Sequence, residues 1–366
     1  MPFPTVLYDS QMFDLQNYGG ITRYFANLIV KMKEESDFAP RLPLLYSTNY
    51  YVRDFDQLLH NPFGKIWLRK GRRRKKWNRL YCTKILNKEN FDIFHPTYYD
   101  PYFLDHLKKP LAITVHDMIH ENYSHLFDDS EKVIKQKKEV IEAADLIIAI
   151  SKFTRQEIIR YYPHKADNIK VIYHGIPDEP VIADSAPLPE RFLLYVGDRL
   201  STYKNFVPFA TSIAELIRKE KDLYLICAGG GSFSKAEQSL FKGLGIASQT
   251  MQMNVSDGLL AQLYQQAAAF IYPSLEEGFG LPMLEAFKYG CPIACSQTSC
   301  LPEVGGTAVS YFDPLNPEAI FCQTASLINN PDLRHQQIAE GRVQLNKFTF
   351  EQCYTETAAA YRTLLH

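Results

Sequence analysis

Short, continuous apolar runs punctuate the first half of the chain at Thr5–Tyr8, Phe91–Phe94, Leu111–Val115, Leu146–Ile150 and Lys170–Tyr173. Runs of this length without polar alternation predict strands buried on both faces. Between them, Ile21–Lys33, Glu131–Ala144 and Ser151–Tyr162 place apolar residues at helical spacing. Strand–helix alternation predicts an α/β architecture, a parallel sheet covered by helices. The rhythm stops between Pro177 and Pro189, a proline-rich stretch without hydrophobic period, which reads as a linker. It then restarts. Strands are predicted at Phe192–Val196, Leu223–Ala228, Phe270–Tyr272, Pro292–Cys295 and Ala308–Phe312, with helices at Lys204–Lys219, Gly258–Ala267, Pro282–Tyr289 and Pro317–Asn329. The expectation is two doubly wound domains, residues 1–180 and 190–349, facing across a cleft. Ligands of such sheets sit at the carboxyl ends of the strands.

Composition narrows the classes. The 366 residues are 46% hydrophobic and 22% charged, which fits a soluble globular chain and excludes a disordered one. Net charge is −1, so no whole-protein field draws in nucleic acid, and none is expected as a partner. Seven cysteines without framework spacing, and no signal-peptide pattern, point to a reducing cytoplasm. No apolar run approaches the roughly 20 residues of a membrane span.

One segment departs from this balance. Residues 65–84 hold ten Lys/Arg, including Arg72-Arg73-Arg74-Lys75-Lys76, and both tryptophans, Trp67 and Trp77. A solvated helix face is one reading. Attachment to an anionic membrane surface is a second, with indoles at the headgroup level, and nucleic-acid binding is a third, which the acidic balance elsewhere weakens.

The densest chemical signal is Pro273-Ser-Leu-Glu-Glu-Gly-Phe-Gly-Leu-Pro-Met-Leu-Glu-Ala286. It reads as a strand end, a glycine loop at Gly278 and Gly280, and a helix opened by Pro282. A helix N-terminus behind a glycine loop is an anion site, since free N–H groups and the dipole both favour negative charge. Glu277 and Glu285 flank it, and carboxylates accept hydrogen bonds from sugar and ribose hydroxyls. At the first strand end after the linker, Arg199 and Lys204 would complement a phosphate. His116, in Thr114-Val-His-Asp117, stands at another predicted strand end. Gly19 and Gly20 precede a helix.

Together these residues resemble the retaining nucleotide-sugar glycosyltransferases of family 4, with their GT-B fold of two Rossmann-like domains. The likeness spans nearly the whole chain. It includes Gly19-Gly20-Ile21, Val171-Ile-Tyr-His-Gly-Ile176 and Leu301-Pro-Glu-Val304. The resemblance implies that Glu285 holds the ribose. Glu277 meets the donor sugar, beside backbone groups of Phe279, Gly280 and Leu281. Arg199 and Lys204 hold the diphosphate, Gly19 and Gly20 pass under it, and His116 lies at the sugar. Where the family has Asn-Gly, this chain has His174-Gly175. No cofactor and no metal are expected. The resemblance is strongest to bacterial mannosyltransferases of surface-polysaccharide assembly. GDP-mannose is therefore the first expected donor, with UDP or dTDP sugars as alternatives. The acceptor would be a saccharide or lipid-linked saccharide, met by the N-terminal domain. The enzyme would be cytoplasmic, with attachment to the inner face of the cytoplasmic membrane a further expectation. By the same likeness, a closing helix over residues 350–366 returns to the N-terminal domain, with Thr349 as N-cap.

An oxidoreductase would want a G-x-G-x-x-G spacing that Gly229-Gly230-Gly231 lacks. A metal hydrolase built on His116, Asp117 and His120, a sugar epimerase or phosphorylase, and a non-catalytic nucleotide-sugar-binding protein complete the set.

Overall fold

The computed structural model describes residues 3–178 and 181–365. Glu179 and Pro180 of the expected linker, and His366 of the expected closing helix, lie outside the described residues. The chain divides into two units, Met1–His174 with Glu351–His366, and Gly175–Phe350.

The first unit is a parallel sheet. Its strands are β1 (Thr5–Tyr8), β2 (Ala39–Arg41), β3 (Ile93–His95), β4 (Ala112–Val115), β5 (Leu146–Ala149) and β6 (Ile169–Val171). They pair as β2-β1-β3 and β4-β5-β6. The two groups meet at one bridge, Phe94 to Leu111, where the Phe94 N–H donates to the Pro110 carbonyl at 3.0 Å. Every residue of β3, β4 and β5 is buried, which is why these strands show no polar alternation.

The second unit has β7 (Arg191–Val196), β8 (Leu223–Ala228), β9 (Thr250–Met253), β10 (Ala269–Tyr272), β11 (Ile293–Ser296) and β12 (Ser310–Phe312). Their order is β12-β11-β10-β7-β8-β9, all parallel. The order reverses between β7 and β10. In doubly wound sheets the carboxyl ends of the strands at such a reversal are where ligands bind. Phe209, Ile213 and Ile217 of the helix Phe206–Lys219 pack with Leu193, Leu225 and Ile271 of the sheet in one buried cluster.

The edge strands β2 and β9 were not predicted. Each is only partly buried, and Pro40 or alternating polar residues hide the pattern. The helix predicted from Lys204 begins at Phe206 instead. Thr202–Lys204 forms a 3-10 turn, and Asn205 takes a left-handed conformation (φ 56°) before the helix starts.

The closing helix Phe350–Arg362 packs on the first unit. Tyr361 Oη lies 3.1 Å from Tyr8 Oη and 2.5 Å from His95 Nδ1. Arg362 pairs with Asp37 at 2.7 Å, and Lys31 with Glu351 at 2.8 Å. The glycine of His174-Gly175 has a packing reason within the second unit. A Cβ at Gly175 would lie 2.2 Å from the Thr349 carbonyl carbon, where the chain bridges Ile176 to Thr349.

Candidate functional site

The two loops at the reversal point carry the expected pair. From β7 the chain runs through Gly197 and Asp198 to Lys204. From β10 it runs through Pro273 to Glu277. Lys204 Nζ stands 2.7 Å from Glu277 Oε1. A backbone bond ties the loops together, Leu275 N–H to the Tyr203 carbonyl at 2.8 Å. Glu277 is further fixed from β11: its N–H donates to Ser299 Oγ at 3.1 Å, and the Cys300 thiol donates to its carbonyl. Glu277 is 8% exposed, so this ion pair is screened far less than a surface pair.

After Glu277 the loop passes Gly278 and the buried Phe279, whose ring packs edge-on to Phe348 at 5.6 Å. Gly280 (φ 99°) is left-handed and caps the helix Leu281–Lys288. A Cβ there would also press on the Leu301 side chain at 3.1 Å, but it is the left-handed conformation that calls for glycine. Glu285 sits in the second turn and accepts a 3.4 Å bond from Tyr264 Oη. One loop and one helix thus present Glu277, Phe279, Gly280, Leu281 and Glu285 in sequence, with Lys204 joined to the first of them.

Arg199 is placed differently. Its guanidinium is buried beneath the glycine loop after β8. Nε lies 2.7 Å from Glu237 Oε1, and Nη1 and Nη2 donate to the Gly229 and Gly231 carbonyls at 2.6 and 2.8 Å. Gly229, Gly230 and Gly231 all have positive φ, and a Cβ on Gly230 would lie 2.6 Å from Arg199 Nη1. The other oxygen of Glu237 accepts the Ser234 N–H at 2.7 Å, closing a capping box on the helix Lys235–Leu244. The structure brings Lys204 and Glu277 together and assigns Arg199 to the neighbouring loop. Asp198 opens the β7 loop. Burial would raise its pKa, but the Ser201 hydroxyl and the Leu200 and Ser201 N–H groups hold it below the usual value.

Gly19, Gly20 and His116 belong to the first unit. Gly19 caps the helix Gly20–Glu35 in an extended conformation, and a Cβ there would lie 2.2 Å from Gln16 Oε1. His116 follows β4, and its N–H donates to Tyr99 Oη at 3.0 Å. Its ring lies among Tyr24, Phe25 and His174, 5.7 Å from the last, and its buried Nε2 has no hydrogen-bond partner. Burial, reinforced by His95 and Lys137, lowers its pKa from 6.5 to about 3, so the ring is neutral. A neutral imidazole with an unused nitrogen can exchange hydrogen bonds with a sugar hydroxyl. Among the described residues, no group of three or more His, Cys, Asp and Glu is arranged to hold a metal ion.

Three participants escaped the sequence reading. Ser299 and Tyr264 carry no signal beyond ordinary loop and helix chemistry. Lys137 does carry one. It occupies an apolar-phase position among Val133, Ile134, Val140 and Ile141, and it is buried against Glu121 at 2.8 Å and the Asp117 carbonyl at 3.0 Å.

A cation, two carboxylates and a glycine-capped helix start at a doubly wound switch point suit a ligand that is anionic at one end and hydroxylated at the other. Comparisons agree. Residues 182–344 match the family described as Glycosyl transferases group 1, and residues 18–180 match Glycosyltransferase Family 4. O-antigen chain mannosyltransferase B of Escherichia coli is 31% identical over 286 residues, covering 73% of this chain and 74% of that relative. Sucrose-phosphate synthase from Thermosynechococcus elongatus superposes with a TM-score of 0.78 at 17% identity, over 99% of both chains. Anabaena HepE, solved in complex with UDP-glucose, does so with a TM-score of 0.74 at 14% identity, over 98% of this chain and 99% of that one. The chain belongs to the family 4 glycosyltransferases and has the GT-B fold of two Rossmann-like domains.

Proposed function

We propose that this glycosyltransferase moves mannose, with retention, from GDP-mannose to a saccharide or lipid-linked saccharide in surface-polysaccharide assembly. The observation that carries the reading is the Lys204–Glu277 pair at the reversal point of the second sheet. The similarity to an O-antigen mannosyltransferase supports mannose over other hexoses. The second unit would bind the donor and the first the acceptor. Lys204 would neutralise the diphosphate, beside the N–H groups that open the helix at Leu281. Glu277 would accept from sugar hydroxyls and Glu285 from ribose. Arg199 would act through the glycine loop that it braces. Gly19 and Gly20 would offer backbone to the diphosphate, and the neutral His116 would meet the sugar.

The chemistry follows from charge. As the bond between sugar carbon and phosphate oxygen breaks, the sugar becomes oxocarbenium-like and the leaving diphosphate gains negative charge. A cation aimed at that charge lowers the barrier by about 2.7–4 kcal/mol. The acceptor hydroxyl attacks on the face the diphosphate is leaving and gives its proton to the departing phosphate oxygen. No carboxylate nucleophile and no metal is needed on this route. The enzyme would work in the cytoplasm, at the inner face of the membrane through residues 65–84.

A UDP-sugar donor is the second reading, favoured by the likeness to a protein solved with UDP-glucose. A thermal-stabilisation screen of nucleotide sugars separates the two. A ligand at 100 times its dissociation constant adds about 2.7 kcal/mol. GDP-mannose should raise the melting temperature and UDP-glucose should not. The reverse result would replace the donor. Stabilisation without any turnover would favour a binding protein.

A further inference from the structure

We propose that the paired helices Pro62–Trp67 and Gly71–Leu86 form a membrane-docking face on which Phe63, Ile66, Trp77 and Leu80 enter an anionic bilayer. The proposal deepens the attachment suggested above by naming its apolar anchor. It stands on exposure and charge, independently of the donor chemistry.

A helix on a globular surface normally turns apolar residues inward and polar ones outward. The helix Gly71–Leu86 partly inverts this. Its inward face carries Arg74 and Asn78, which bond the Asp14 carboxylate at 3.0 Å each. Its outward face carries Trp77 and Leu80, 39% and 48% exposed. On the shorter helix, Phe63 and Ile66 are 66% and 79% exposed. Ring contacts make the patch continuous. Phe63 stacks on Trp67 at 5.8 Å, and Trp67 meets Trp77 at 5.0 Å. Large apolar side chains at such exposure, side by side, mark an interaction surface.

The surrounding charge selects the partner. Residues 57–88 contain no Asp or Glu. Arg74 is committed to Asp14, and Lys75 and Arg79 lie near Asp100. Arg69, Lys70, Arg72, Arg73 and Lys76 are exposed, and among the described residues none of them pairs with a carboxylate. Unpaired cations around exposed aromatic and aliphatic residues fit a helix lying in a membrane interface. Aromatic rings settle at headgroup level. Each basic residue near an anionic surface adds about fivefold to partitioning. Nucleic acid would also use the cations, but Ile66 and Leu80 offer it no stacking face. Among the described residues no helix is long and apolar enough to cross a membrane, so this face would hold the chain at the surface.

Sedimentation of the full chain with phosphatidylglycerol–phosphatidylcholine vesicles tests this. The protein should pellet at low salt and release as salt rises, since the attraction decays over a Debye length of about 8 Å at physiological ionic strength. It should not pellet with pure phosphatidylcholine. Arg72→Gln with Arg73→Gln and Lys76→Gln should weaken binding more than tenfold. Phe63→Ser with Ile66→Ser should do the same while leaving the melting temperature unchanged. Three outcomes would overturn the proposal: no pelleting with anionic vesicles at low salt, undiminished pelleting of the Phe63→Ser/Ile66→Ser variant, or tighter binding to homopolymeric RNA than to vesicles. Loss of donor turnover with vesicle binding intact would count against the transferase reading alone.

Discussion

Lys204 and Glu277 form a 2.7 Å ion pair between the loops that follow two adjacent parallel strands, β7 and β10. Neither loop holds its charged residue alone. The Tyr203 carbonyl and Leu275 N–H join the loops, and Ser299 and Cys300 hold the Glu277 backbone from a third. The pair is therefore held in place before any ligand arrives, which is what the proposed role at the leaving group requires.

Arg199 should prove structural in a measurable way. Removing one partner of a buried ion pair typically costs about 3–5 kcal/mol, because the other charge is left uncompensated. Arg199→Met should lose stability of that order in urea unfolding, and adding Glu237→Gln should restore part of it. Full stability with lost turnover would instead make Arg199 a direct phosphate ligand.

Acid should destabilise the first unit through its histidines. Burial lowers His95 and His116 from 6.5 to about 3, and burial with His116 nearby pushes His174 down as well. Between those limits the unfolded chain binds protons that the folded one refuses. Stability is therefore complete above about pH 6.5 and falls as pH drops toward 3. The loss is about 1.4 kcal/mol per pH unit for each histidine. His116→Gln should remove one histidine's share of that slope. A urea midpoint unchanged from pH 7.5 to 5 would contradict the burial argument.

The closing helix is fastened by a phenol. Tyr361 Oη bridges Tyr8 Oη and His95 Nδ1 in a fully buried setting. Tyr361→Phe should cost about 1–3 kcal/mol of stability, since it leaves buried polar atoms unpaired. Calorimetry of the variant checks this, and a loss below about 0.5 kcal/mol would mean the bonds are replaced elsewhere.

Transfer should not need a divalent metal. On the proposed route Lys204 and the helix start would supply the positive charge, and the one Asp-x-Asp string, Asp54-Phe-Asp56, lies on a different unit from the Lys204–Glu277 pair. Turnover should persist in excess chelator. Complete loss, restored by magnesium or manganese, would contradict this.

Much of the loop and helix from Glu277 to Glu285 was legible because backbone dictates it. Gly280 must take a left-handed φ, Pro282 opens a helix, and Glu277 and Glu285 follow from that frame. Lys204 was legible as the basic residue at a strand end. The partner of Arg199 was not. Ser234-x-x-Glu237 reads as a helix cap, and nothing local says that its second oxygen reaches an arginine 38 residues away. The edges β2 and β9 were missed because partial burial erases the continuous apolar run that identified the central strands. Among the ten basic residues of 65–84, sequence could not tell Arg74, bound inward to Asp14, from Arg73, facing out.

The most direct test measures nucleoside diphosphate release from GDP-mannose by the wild type, Lys204→Ala and Glu277→Gln, with folding verified in each. GDP should appear with the wild type and slow by roughly a hundredfold in both variants, the size expected for one preorganised charge at the leaving group. Release at wild-type rate by either variant, or none from any nucleotide sugar by the wild type, would contradict the assignment.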